Sequence, residues 1–336
     1  MPDGDSNQDK KPVRFRLYSD EEMEQHDPPE WLIQGILPSG GFAVLYGDAG
    51  TGKSFLALGW SLAVGKKHPW FERAVKQGPV VYIAAEGSHA IGLRIRAWKE
   101  KEGVESGTNV HFLPEPVQMM DEPDVTDFLA AITQQLAEKP VLIVIDTMAR
   151  CLVGADENSA KDVGRFINGL DQIRKKTRAT TLVVHHSAKK SPYERGSSAL
   201  RAAADTMMSL SKKEGVITLE CDKQKDAEEF DAMAMELSPV QLDDGASSCV
   251  LERTDIIILK EGLTERVKIV LTTLHNFGDE GAYAKKWLRA TGMAEKTFYR
   301  ARDVLAKHGY VHRPEGKVRG SPYYLTEKGK EAVTVA

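Results

Sequence analysis

Residues 42–54 read Phe42-Ala43-Val44-Leu45-Tyr46-Gly47-Asp48-Ala49-Gly50-Thr51-Gly52-Lys53-Ser54. An apolar run precedes a glycine-rich turn ending in Gly-Lys-Ser, and a second apolar run, Phe55 to Val64, follows it. That order predicts a strand, a phosphate-binding loop and a helix. Backbone N–H groups of such a turn converge with the positive end of the helix on one point and hold polyanionic phosphate there. Gly47, Gly50 and Gly52 allow the tight or left-handed geometry the loop needs. Lys53 is expected to reach the β- and γ-phosphates, and the Ser54 hydroxyl to ligate Mg²⁺. The expected nucleotide contacts are Gly47, Asp48, Ala49, Gly50, Thr51, Gly52, Lys53, Ser54 and Phe55.

Outward from this loop the chain alternates two patterns. Apolar runs of strand length occur at 42–46, 80–85, 110–113, 141–145 and 180–184, with helical stretches near 53–65, 89–102, 124–138 and 160–176. Near-continuous apolar strands alternating with helices predict a parallel sheet covered on both faces. After about residue 204 shorter strands follow, near 206–211, 216–221, 233–241 and 249–253, which predict an antiparallel extension of the same sheet. The expected fold class is therefore α/β. From residue 264 the reading returns to helices at 265–276, 282–291 and 294–308, then two short strands around a turn at Pro314-Glu315-Gly316. Helix, helix, Gly turn, helix and ribbon is the layout of a winged helix-turn-helix.

Composition sets the outer limits. A hydrophobic content of 41% is that of a globular chain with a real core. No apolar run is long enough to cross a bilayer, so no membrane partner is expected. Met1 to Lys11 is polar, unlike a secretory signal. Cys151, Cys221 and Cys249 are scattered, fitting neither a disulfide framework nor a zinc site, and a cytoplasmic setting is expected. Residues 263–336 hold 14 Lys/Arg against 8 Asp/Glu, while the whole chain has a net charge of -4. That asymmetry argues for separate units, the basic one a nucleic-acid candidate. The expected division is a flexible tail at 1–28, an α/β domain at 29–258 and a winged helix at 259–336.

Around the loop, chemistry falls at strand ends. Asp146 ends the run Val141 to Ile145 and is expected to hold Mg²⁺ through water. Glu86 follows the run 80–85 and points to the crevice where open parallel sheets place ligands. It is the candidate base or orienter for an attacking water, or else a capping or solvated carboxylate. His185 and His186 end the next strand, where one or both can sense the γ-phosphate and the other can be a packing residue. Lys189, Lys190 and Arg195 lie in a turn-rich basic segment, either a loop that tracks a phosphate backbone or a solvated surface. Lys223 and Lys225 follow an antiparallel strand. They are either a trans-acting cation pair serving a neighbour's γ-phosphate or ordinary turn charges.

Together, Gly47–Ser54, Glu86-Gly87, Val141–Asp146, Val183-Val184-His185-His186-Ser187 and Arg195-Gly196-Ser197-Ser198-Ala199-Leu200 resemble an AAA-like, RecA-like P-loop ATPase group. That group is the plasmid and phage RepA type, ring-shaped hexameric replicative helicases. The resemblance covers about residues 30–240. It implies a RecA-like fold, ATP and Mg²⁺ as cofactors and single-stranded DNA as partner. It also implies Glu86 as catalytic base, Asp146 on Mg²⁺, the His185/His186 pair as γ-phosphate sensor and Lys53/Ser54 on nucleotide. A trans-acting cation is implied too, for which Arg195, Arg201, Lys223 and Lys225 compete. Related helicases often carry Lys-x-Arg where this chain has Lys223-Gln224-Lys225.

The winged helix lies outside that family pattern. Its third helix is expected to enter the major groove of duplex DNA, offering Lys296, Thr297, Tyr299, Arg300 and Arg302, with Lys317 and Arg319 on the ribbon turn for backbone contact. A protein-contact role is the alternative. For the whole chain the leading expectation is an ATP-driven DNA helicase. The others are a nucleotide-gated DNA-binding regulator or loader and a recombination-type filament.

Overall fold

A computed structural model of the chain describes residues 16–25, 30–105, 107–187, 197–213, 215–254, 257–259, 265–307, 309–314 and 321–335. The chain divides into two compact units, residues 1–30 and 31–336. The first contains a short helix, α1 (Asp20–Glu24), inside the stretch expected to be a flexible tail. Its cause is local: Ser19 accepts from the Glu22 amide and the Glu22 carboxylate accepts from the Ser19 amide, a reciprocal capping box.

The second unit opens with a small antiparallel pair, β1 (Trp31–Ile33) and β2 (Leu37–Pro38), absent from the sequence reading. Then come β3 (Phe42–Gly47), α2 (Lys53–Lys66), β4 (Val80–Ala84), α3 (Ile91–Glu102), β5 (Val110–Leu113), α4 (Glu122–Gln135), β6 (Leu142–Asp146), α5 (Ala160–Thr177) and β7 (Thr180–His186). A short helix α6 (Ala199–Ala203) leads to β8 (Thr206–Lys213), β9 (Val216–Gln224), β10 (Met233–Gln241) and β11 (Ser247–Arg253). These strands form one nine-stranded sheet in the order β11-β10-β9-β8-β3-β7-β6-β4-β5. The six from β8 to β5 are parallel and the last three antiparallel, so the chain is α/β with an antiparallel extension, as the pattern predicts.

Every residue of β3, β4 and β6 is buried. Alternate side chains serve opposite faces of the sheet. Ala43, Leu45, Tyr82 and Val144 join one apolar cluster with α2 and α3, whereas Phe42, Val44, Ile83 and Ile145 join another with α4 and α5. In the centre, β3 lies between β7 and β8, with Gly47 opposite His186. The loop leaves β3 so close to β8 that a Cβ on Gly47 would lie 2.1 Å from the Leu210 carbonyl oxygen.

The C-terminal part contains β12 (Ile257–Leu259), α7 (Glu265–His275), α8 (Ala284–Thr291), α9 (Glu295–Lys307), β13 (Val311–His312), β14 (Tyr324–Leu325), α10 (Glu327–Ala332) and β15 (Val333–Val335). Trp287 and Phe298 meet edge to face at the centre of its own core, and the Trp287 indole donates to the Val270 carbonyl. β13 pairs with β14, and β12 pairs with β15 at the end of the chain. The boundary expected after residue 258 thus falls inside a paired strand.

Gly47→Ala forces a methyl group into the Leu210 backbone, which cannot rotate away. It is expected to lower stability by about 1–3 kcal/mol, read as a lower urea midpoint at unchanged slope.

Candidate nucleotide site

The turn after β3 carries two left-handed glycines, Gly50 at φ 80° and Gly52 at φ 100°. Gly52 is the N-cap of α2, so the first turn of that helix starts directly at the loop. Thr51 Oγ1 donates to the Asp48 carbonyl at 2.9 Å and tightens the turn. Lys53 Nζ donates to the carbonyls of Gly47 and Asp48, each at 2.8 Å. The ammonium is buried, and burial lowers its pKa against the opposing pull of Asp146, Asp48 and Glu86.

A cavity of about 300 Å³ opens in front of this turn. Ala49, Gly50, Gly52, Lys53, Ser54 and Phe55 line one side, and Glu86, Asp146 and His186 line the other. Parallel register makes this possible: Ala84 pairs with Asp146, Asp146 with Val184 and Gly47 with His186, so three strand ends come level at one edge. Of the expected loop contacts, Gly47, Asp48 and Thr51 shape the turn through backbone and hydroxyl rather than line the cavity.

Asp146 is 3% exposed and its Oδ2 accepts from the Tyr82 hydroxyl at 2.6 Å. Burial raises its pKa from the ordinary carboxylate range, against lowering by Tyr82 and by the Ser54 hydroxyl beside it. Its other oxygen, Oδ1, is buried and accepts no hydrogen bond. A buried carboxylate oxygen without a donor, next to a serine hydroxyl at the mouth of a phosphate-sized cavity, fits Mg²⁺ or a water bound to it. Ser54 and Asp146 would hold the ion there, where it would screen phosphate charge.

Glu86 is exposed and accepts from Thr147 Oγ1 at 3.2 Å, so one carboxylate oxygen is oriented while the group stays open to the cavity. The two histidines separate. His185 is 1% exposed, beneath the site, and His186 is half-buried on the cavity wall. Adjacent strand residues face opposite ways, so only one of a histidine pair at a strand end can look into the crevice.

Lys223, one of the candidates for a trans-acting cation, is engaged within its own chain. Its Nζ donates to the carbonyls of Ala204 at 2.6 Å, Arg201 at 2.8 Å and Ala202 at 3.4 Å, capping the end of α6. Lys225 is the more exposed member, 60% open, with the Asp205 carboxylate at 3.8 Å. Arg201 is half-buried, with its guanidinium 3.4 Å from the Tyr46 hydroxyl. Lys189, Lys190, Arg195, Lys317 and Arg319 lie outside the described residues. On α9, Phe298, Ala301 and Leu305 face the core, and Lys296 and Arg300, one turn apart, are exposed. Arg302, a candidate for phosphate or base contact, is half-buried. It bonds Asp303 and stacks 4.7 Å over the half-buried Tyr299 ring.

Sequence reasoning missed three contributors. Tyr82 reads as one more apolar strand residue, although it sits diagonally across from Asp146 on the neighbouring strand. Thr147 follows Asp146 directly. Arg94 reads as a solvated helix charge, yet it lines the cavity and packs 4.3 Å over the Phe55 ring.

A phosphate loop on the central strand of a sheet in this order, with acidic residues at the ends of β4 and β6, is the layout of a P-loop nucleotide-binding domain. Residues 10–192 match the AAA domain family, more than half of the chain, and the chain belongs to that family. Two solved structures are similar in part. The RadB recombinase matches at 15% identity and a TM-score of 0.43, over 60% of this chain and 89% of its own. The ATPase domain of G40P matches at 11% identity and a TM-score of 0.45, over 59% of this chain and 82% of its own. No curated protein matches the sequence. Among the described residues, no helix is long and apolar enough to cross a membrane.

Asp146→Asn removes a buried charge and keeps an acceptor for Tyr82. Without Mg²⁺ the variant is expected to melt at or above the wild-type temperature at pH 7. The wild-type carboxyl, raised in the folded state, costs stability as pH rises from the ordinary aspartate range through the raised value; the variant lacks that loss. Thermal melts across pH, with and without Mg²⁺ and nucleotide, check both, and the variant should lose the Mg²⁺-dependent gain.

Proposed function

We propose that the chain is an ATP-driven DNA motor of the RepA type, hydrolysing ATP where one subunit meets the next in a homo-oligomeric ring, expected to be hexameric. The supporting observation is the crevice itself. Lys53 and the loop amides face phosphate, Ser54 and Asp146 fit Mg²⁺, and Glu86, oriented by Thr147, stands open to an attacking water. His186, level with the loop through the β3–β7 register, is the proposed γ-phosphate sensor. The proposed trans-acting cation is Lys225, since Lys223 is occupied in capping α6.

In this reading the ring encircles single-stranded DNA. The C-terminal helices and ribbon form a winged helix for duplex DNA, with Lys296 and Arg300 on the exposed face of α9 meeting phosphates or base edges. The same exposed face supports a second reading, a nucleotide-gated loader or regulator that selects a duplex site without unwinding it.

A strand-displacement assay on forked DNA separates the two. The motor reading expects ATP-dependent opening by the wild type, none by Lys53→Ala, and turnover reduced about 100-fold or more, with nucleotide still bound, in Glu86→Gln. Hydrolysis stimulated by single strands without any duplex opening would sink the motor reading and favour the loader. For the winged helix, Lys296→Ala and Arg300→Ala should each weaken duplex binding and reduce its log–log salt slope by about 1.

A further inference from the structure

A second cavity, about 480 Å³, lies behind the phosphate loop between α2, α3 and β11. It touches α2 at Phe55, Leu58, Gly59 and Leu62, one face of that helix, and α3 at Arg94, Trp98 and Glu102, again one face. The Cys249–Leu251 stretch of β11 closes the far side. Trp70 and Phe71 form the end wall, their rings 4.5 Å apart. The volume and aromatic lining are those of a small-molecule pocket.

Two local features keep the space open. Gly59 sits in the interior of α2, where glycine is among the least favourable residues. Packing does not require it: a Cβ built there meets nothing within 4 Å. The second feature is the tight turn Trp70-Phe71-Glu72-Arg73, closed by reciprocal backbone bonds of 3.1 and 2.9 Å. Both central residues are left-handed, Phe71 at φ 45° and Glu72 at φ 65°, where Asn and Gly are the usual occupants. This strained pair fixes the Phe71 ring on the cavity wall. Strain held in place by its surroundings is a mark of a functional segment.

The chemistry of the walls selects the ligand. The rings offer stacking and edge contacts to a flat molecule. Of the charged groups on its lining, Arg94 packs over the Phe55 ring and Glu72 is turned to solvent, so the apolar interior at Leu58 and Leu62 favours a ligand without net charge. At the mouth, His68 and Glu102 are already paired with each other at 2.8 Å. The far wall at Trp70 lies beyond the end of α2, about 20 Å along a helix whose other end meets the phosphates. The near wall, Phe55 and Arg94, is shared with the nucleotide cavity.

From this we infer that the cavity is a second ligand site, distinct from the nucleotide site, that takes a neutral flat aromatic molecule.

The test uses 5-fluoroindole as probe and the full chain, with binding followed by fluorine NMR. The wild type should give saturable line broadening that persists when ADP and Mg²⁺ saturate the phosphate loop. Gly59→Phe, which projects a ring into the space, should weaken probe binding at least tenfold while binding ADP and Mg²⁺ like the wild type. Gly59→Ala should fall between. Independently of any variant, saturating probe should slow alkylation of Cys249 by iodoacetamide severalfold, counted by peptide mass. The inference is overturned by an absence of saturable binding, by unchanged binding in Gly59→Phe, by unchanged Cys249 alkylation, or by displacement of the probe with ADP. The last result would make the cavity part of the nucleotide's own site.

Discussion

The close approach of Gly47 to the Leu210 carbonyl is the contact on which the site depends. It lets β3 sit tightly between β7 and β8 at the level where the strand becomes the phosphate loop. With β3 held there, parallel register does the rest. Ladder pairs bring His186 level with Gly47, and Asp146 level with Ala84. The groups that a phosphate must meet are thus positioned by backbone hydrogen bonds rather than by contacts among the groups themselves. A one-residue slip of any of these strands would turn its terminal side chain to the opposite face.

The site also shows how a charged crevice is kept in order before a ligand arrives. Lys53 rests on two carbonyl oxygens of its own loop, and Asp146 leans on Tyr82. Both charges are buried, and burial shifts each toward its neutral form: Lys53 down, Asp146 up. A bound phosphate with its cation would relieve both at once, offering an anion to the lysine and a cation to the carboxylate. Nucleotide binding would in this sense be coupled to the repair of two desolvated groups.

Much of this was legible in the sequence, and the reasons are specific. The loop carries its chemistry in contiguous residues, and the buried parallel strands announce themselves as unbroken apolar runs ending in Glu86, Asp146 and His186. What stayed hidden depends on neighbours in space. Tyr82 acquires its role only because β6 lies beside β4. Lys223 is drawn inward because the end of α6, distant in sequence, needs a donor for its carbonyls. Arg94 looks like any helix-surface cation until the fold lays it over Phe55. The helix α1 was missed because a capping box of side chains, not apolar periodicity, makes it.

The last hairpin of the sheet returns to α3, where Arg96 meets Asp244 at 2.8 Å and Lys101 meets Glu252. Arg96 and Asp244 are both about half exposed. Such pairs are individually weak and are screened by ions within about 10 Å at moderate ionic strength. Strands β10 and β11 also supply Leu237 to the nucleotide cavity and Val250 to the cavity behind it. The clasp across these two spaces is therefore held by apolar packing of Val250 and Leu251 and, at its rim, by ion pairs that dissolved electrolyte loosens first. Raising the ionic strength thus weakens the rim of that clasp and leaves its apolar part in place.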